Sequence, residues 1–126
     1  MAIMITGVCI VAIGSGIAMS ISLSAVHRNQ AAAQDSLHNY AETLQHSYTP
    51  CTATTTPNYA TQLVAPSGFS APTVVVNYWV PTAAVFTTNQ ACPAGGDTGL
   101  QQVALTLVST TGKVSESIVV DLRSLS

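Results

Sequence analysis

The pattern of apolar positions divides the chain into three stretches. From Met1 to Val26 apolar residues run almost without interruption, and no Asp, Glu, Lys, Arg or His occurs. Past Arg28 the apolar residues fall on one side of a helix, with Leu37, Tyr40, Ala41, Leu44 and Tyr48 at i, i+3, i+4, i+7 and i+11. Asp35, Asn39, Glu42 and Gln45 lie opposite, the arrangement of a helix with one face on a domain and the other in water. Pro50 stops it, because a proline pushes the preceding Thr49 out of the α region. With no Pro, and no Gly after Gly16, before that point, one helix from near Met1 to near Tyr48 is predicted, about 70 Å long at 1.5 Å per residue.

The third stretch reads as loop and strand. Thr52-Ala53-Thr54-Thr55-Thr56-Pro57 has no periodicity and is expected to cross the domain surface as a loop. The run from Thr73 to Val80 is β-branched and aromatic between Pro72 and Pro81, and Ala84-Val85-Phe86 is a short partner for it. Val103, Leu105 and Leu107 alternate with Ala104, Thr106 and Val108. A turn at Ser109-Thr110-Thr111-Gly112-Lys113 then leads into Val114, Glu116, Ile118, Val120 and Leu122, the clearest hairpin of the chain. Three or four antiparallel strands with one face on the helix make an α+β unit, with a long N-terminal helix packed on a small antiparallel sheet.

The first stretch has the length for a membrane. About 20 apolar residues cross a hydrocarbon core as a helix, and the hydroxyls of Thr6, Ser15, Ser20, Ser22 and Ser24 are tolerable there because they bond back to their own helix. A cleavable secretory signal is the competing reading, but its charged n-region is absent and its apolar core is shorter, about 7–15 residues. Ala12, Gly16, Ser20 and Ser24 recur every four residues, a stripe of small side chains along which two helices approach closely. Small residues are also simply common in apolar helices. Gly14 and Gly16 each cost roughly 1 kcal/mol of helix propensity and mark either a loosened turn or a close contact.

Composition narrows the function. A chain of 126 residues makes one small domain beyond such a helix. Only 6% of residues are charged and the net charge is −2, so the release of counterions that drives nucleic-acid binding has almost no cationic source. Cys51 and Cys92 flank a Thr-, Ala- and Pro-rich region of a domain short of other staples, and are expected to form a disulfide in an oxidising compartment. Cys9, inside the apolar run, reads as a small hydrophobe. Arg28 is the lone basic residue near the helix and on the positive-inside rule favours a cytoplasmic C-terminus. The cysteines argue the reverse and weigh more.

No catalytic, cofactor or metal constellation stands out. His27 and His38 share nearly one helix face but are about 16 Å apart along the axis, too far for one zinc, and with His46 they read as solvated. Gly14-Ser15-Gly16 lacks the spacing of a nucleophile elbow. Asp97, among Gly95, Gly96 and Gly99, is a single carboxylate where a calcium loop needs several oxygen ligands, and turn chemistry accounts for it. Tyr78 and Trp79 read as packing against the helix rather than as a ligand platform.

Taken together, the run Met1-Ala2-Ile3-Met4-Ile5, the helix extending to Tyr48, Tyr48-Thr49-Pro50-Cys51, Val76-Asn77-Tyr78-Trp79, Ala91-Cys92-Pro93, Asp97-Thr98-Gly99-Leu100-Gln101 and the hairpin from Gly112-Lys113-Val114-Ser115-Glu116 resemble the type IV pilin-like, prepilin-type proteins (pseudopilins) of actinobacteria over nearly the whole chain. The resemblance implies a non-enzymatic structural subunit. Residues 1–26 form a transmembrane and assembly helix, 27–49 its amphipathic half, and 50–126 a disulfide-closed β domain outside the cytoplasm. The implied partners are the membrane, other pilin-like subunits gathered through the N-terminal helix into a pilus or pseudopilus at the cell surface, and a prepilin peptidase acting on a leader upstream. The family's basic leader, cleavage glycine and early glutamate have no counterpart from Met1 onward, so Met1 reads as internal to that motif and no residue is assigned to processing. The rival is a solitary membrane-anchored binding module that presents the Thr-rich loop and the Tyr78-Trp79 edge without polymerising.

Overall fold

The computed structural model describes residues 2–87 and 91–124, with side chains from residue 23 onward. Helix α1 (Ala2–Gln45) is followed by a 3-10 turn at Tyr59–Gln62 and by strands β1 (Thr73–Val80), β2 (Val85–Phe86), β3 (Leu100–Val108) and β4 (Ser115–Arg123). The strands pair antiparallel in the order β2-β1-β3-β4, and the helix packs on this sheet, so the class is α+β.

The sheet forms where the sequence alternates. Along β3 the side chains of Gln101, Val103, Leu105 and Leu107 are buried while Gln102, Ala104, Thr106 and Val108 are half-buried on the other face. The register sets three rows across the inner face: Val74 with Leu105 and Ile118, Val76 with Val103 and Val120, and Tyr78 with Gln101 and Leu122. Slipping either pairing by one residue would turn a whole row to the wrong side, which is what pins the register. The β3–β4 turn closes through Gly112 N to Ser109 O and Ser109 N to Val114 O, both 2.8 Å. Gly112 sits there at φ +70°, where a side chain would be strained.

Helix α1 covers that face from the β4 side, while the 3-10 turn lies on β1. Ala33, Leu37, Tyr40, Ala41 and Leu44 are its buried residues, with Val26 packed at their margin, and Asp35, Asn39, Glu42 and Gln45 are exposed as the periodicity requires. Leu23, by contrast, is 54% exposed, so the described packing of the helix begins near Val26. At 44 residues α1 is about 66 Å long. It ends at Gln45, short of the expected residue 49, as Ser47 N turns back to Leu44 O at 2.9 Å and Ser47 Oγ to Thr43 O at 2.9 Å. Such tightened bonds satisfy last-turn carbonyls that an uncapped helix leaves open. Tyr48 therefore lies beyond the helix, where it is half-buried against the core.

Among the described residues no helix is long and apolar enough to cross a membrane; the side chains of residues 1–22, which hold most of the apolar run, lie outside them.

Candidate functional site

A polar cluster lies where the chain leaves α1 and meets the start of β3. Gln101 is fully buried, because its place on β3 points it to the same face as Val103, Leu105 and Leu107. An amide there must find partners, since an unpaired buried polar group costs about 1–3 kcal/mol. Its Oε1 accepts from the Tyr59 hydroxyl at 2.7 Å. Its Nε2 donates to Thr49 O at 2.7 Å and to Asp97 Oδ2. Tyr59 also accepts from Thr49 N at 3.1 Å.

Asp97 is the second centre. Its Oδ1 accepts from Gly99 N at 2.9 Å, and its Oδ2 accepts from Cys51 N at 3.3 Å as well as from Gln101. The first bond is the turn chemistry expected of an Asp among glycines; the others bind the turn to the helix exit. Tyr48 sets its hydroxyl against the same carboxylate and amide, and burial, reinforced by Asp97, pushes it up to about 12. Burial likewise raises Tyr59 and Tyr78, each with the Asp97 charge adding to the rise, and raises Tyr40, whose hydroxyl donates to Val64 O.

Cys51 and Cys92 form the disulfide, with Cα atoms 5.9 Å apart and a sequence separation of 41. Cys51 is buried and its own amide bonds Asp97, so the covalent staple and the polar knot hold one junction. The knot is built to hold: the Gln101 amide, the Asp97 carboxylate and the Tyr59 hydroxyl all act in internal hydrogen bonds.

The remaining sequence candidates are dispersed. Of the small-residue stripe, Ser24 is exposed, and Ala12, Gly16 and Ser20 lie outside the described side chains. His27, His38 and His46 are all exposed, and no group of three metal-binding side chains occurs among the described residues. Tyr78 is buried in the core. Trp79, the next residue of the strand, is turned to the opposite face, where its ring meets that of Phe86 edge-on at 5.2 Å; it packs on β2 and not on the helix. Gln101 was the residue that periodicity passed over. Its signal is a polar side chain in step with Val103, Leu105 and Leu107.

A separate cleft of about 200 Å³ opens between Thr56–Ala60 and the β1 residues Val74, Val76 and Tyr78. No protein-family model, curated protein or solved structure matches the chain.

Proposed function

We propose that the chain is a pilin-like structural subunit, anchored in a membrane by its N-terminal helix with residues 50–126 outside the cytoplasm, and assembling with other such subunits through that helix. The observation that carries this reading is the continuity of α1. The charge-free run Met1–Val26 leads without a break into the turns whose Leu37, Tyr40, Ala41 and Leu44 are buried by the sheet. A helix that is apolar at one end and seated on a small domain at the other joins a membrane or filament core rigidly to an exposed head. The disulfide supports an oxidising location for that head. The small-residue positions Ala12, Gly16, Ser20 and Ser24 are the proposed helix-packing surface.

The test is membrane partition together with cross-linking. The full chain is expected in the membrane fraction and requires detergent, whereas residues 28–126 alone stay in solution as a monomer. A full chain that is a stable monomer without detergent overturns the proposal. A chain that enters the membrane but never cross-links to a second copy is instead the solitary binding module.

A further inference from the structure

Strand β4 is an edge of the sheet, and its free side is open to pairing. Ser109 N donates to Val114 O at 2.8 Å and Ser124 N to Gly99 O at 2.9 Å, so in the β3–β4 register the even-numbered residues of β4 turn their backbone groups toward β3. Antiparallel pairs alternate in this way. The N–H and C=O groups of Ser115, Ser117, Val119, Asp121 and Arg123 therefore point away from the sheet, and all of these residues are exposed. Their amides have no hydrogen-bond partner among the described residues. Such a row is a ready template for an added strand.

The same edge borders a groove. A cleft of about 210 Å³ lies between α1 and β4, lined by Gln34, Leu37 and His38 from the helix and by Glu116, Ser117 and Ile118 from the strand. Ser117 alternates to the outer face, so its place in the lining sets the cleft at the backbone edge of the strand. Glu116 alternates with Ile118 and Val120 to the inner face, beside the helix, and is half-buried. Its carboxylate makes no hydrogen bond or ion pair among the described residues. A charge withdrawn from water without a partner is unfavourable, so this position favours a cation in the groove.

We propose that an extended peptide adds to β4 as an antiparallel strand in this groove, with a Lys or Arg opposite Glu116 and an apolar residue opposite Ile118. An added strand sends alternate side chains to the inner face, and directly opposed residues stand about 4.5–5.5 Å apart at Cβ. Along the partner's own direction the motif is apolar-x-basic, because antiparallel pairing meets Ile118 before Glu116. Main-chain bonds to the outward groups of β4 supply affinity, and the two inner-face positions supply selectivity. Leu37 and Ile118 receive the apolar residue, while the cation meets the Glu116 carboxylate, with Gln34 and His38 lining the same space. A second copy of β4 fits poorly. Pairing about Val119, which uses every outward group, sets Glu116 against Leu122 of the copy and leaves the carboxylate unpaired in a closed groove, so the edge is guarded against itself. The inference concerns the head alone and holds whether or not the chain assembles through α1.

The full chain in detergent is titrated with the peptide Ser-Thr-Leu-Thr-Lys-Thr-Ser, fluorescein-labelled at its N-terminus and amidated at its C-terminus, and with the same peptide carrying Glu in place of Lys. Saturable binding of the Lys peptide alone is expected, with slower amide exchange at Ser115, Ser117, Val119 and Asp121. Glu116→Gln should weaken binding about tenfold, as loss of a hydrogen bond to a charged group does, and Glu116→Lys should transfer binding to the Glu peptide. Val119→Pro removes an outward N–H and no bond to β3, a place where an edge strand tolerates proline, and should abolish binding while Trp79 fluorescence stays native. No binding of the Lys peptide up to about 1 mM, or equal affinity of the wild type and Glu116→Gln, overturns the proposal. Protection of β4 that rises with protein concentration in the absence of peptide would give the edge to a second copy and overturns it as well.

Discussion

The hydroxyl of Tyr59 donates to Oε1 of Gln101 at 2.7 Å across 42 residues of sequence. The other arm of the same amide reaches Thr49 O at 2.7 Å, so one side chain joins the exit of α1, the 3-10 turn and β3. Helix and sheet are thus held together at this end by a polar junction, with the apolar face of α1 supplying the contact along the rest.

Replacing Gln101 by Leu keeps the volume and removes both arms. Asp97 and Thr49 O then lose a donor in a part-buried setting, and a loss of about 3 kcal/mol in unfolding free energy is expected, in the range for stranded buried acceptors of which one is charged. Tyr59→Phe removes one hydroxyl and leaves the Gln101 donor bonds intact, so about 1 kcal/mol is expected. Urea unfolding of the two variants measures both. A Gln101→Leu loss under about 0.5 kcal/mol, the level of an ordinary surface change, would show the junction to be incidental.

Local periodicity made the apolar architecture legible and left the junction hidden. Leu37, Tyr40, Ala41 and Leu44 repeat at helical spacing, and Val103, Leu105 and Leu107 at strand spacing, so each could be assigned to a face from its own neighbours. The β1 limits Thr73 and Val80 follow from Pro72 and Pro81 in the same way. The contacts of Gln101 join segments 42 and 52 residues apart, and no local period records such a meeting. Tyr48 illustrates the competition: its spacing from Leu44 extends the helical stripe, yet the helix ends at Gln45 and Tyr48 is half-buried against the core beyond it. Trp79 went the other way because strand alternation separates it from Tyr78. The cleft beside Thr56 was equally illegible, since it lies at the β1 end of the inner face, whose β4 side α1 covers.

Truncations along α1 should separate the part that stabilises the domain from the part that does not. Leu44 is fully buried, and Leu44→Ala is expected to cost about 2–5 kcal/mol through lost transfer energy and the cavity left behind. Leu23 is 54% exposed, and Leu23→Ala should change unfolding of the head by less than about 0.5 kcal/mol. Both are measured in residues 23–126, which keep both positions. Comparable losses at the two positions would mean that the helix packs on the sheet well above Val26.

Opening the disulfide should loosen the same junction. With the cysteines at a sequence separation of 41, the chain-entropy model gives about 4 kcal/mol of stabilisation, so Cys51→Ala with Cys92→Ala is expected to lower unfolding free energy by about that amount. Peptide mapping of unreduced protein should recover the Cys51–Cys92 pair. Recovery of Cys9 joined to either one contradicts the fold described.

Alkaline pH tests the electrostatics of the knot. Burial, with Asp97 alongside, raises the Tyr48 hydroxyl from 10.0 to about 12, and Tyr40, Tyr59 and Tyr78 are also raised. As pH rises through the unfolded value, the unfolded chain releases tyrosine protons that the folded chain retains, so the folded state binds more protons and stability must fall with increasing pH. The stabilisation is fully present below pH 10.0 and, for Tyr48, is lost up to about pH 12. Tyr48→Phe removes this group's share of the slope and leaves the shares of the other three. Tyrosinate absorbance of the folded protein provides the direct readout. Midpoints above the ordinary tyrosine value are expected, with unfolding accompanying the release; four tyrosines titrating at that ordinary value in protein that stays folded would contradict the buried placement of these side chains.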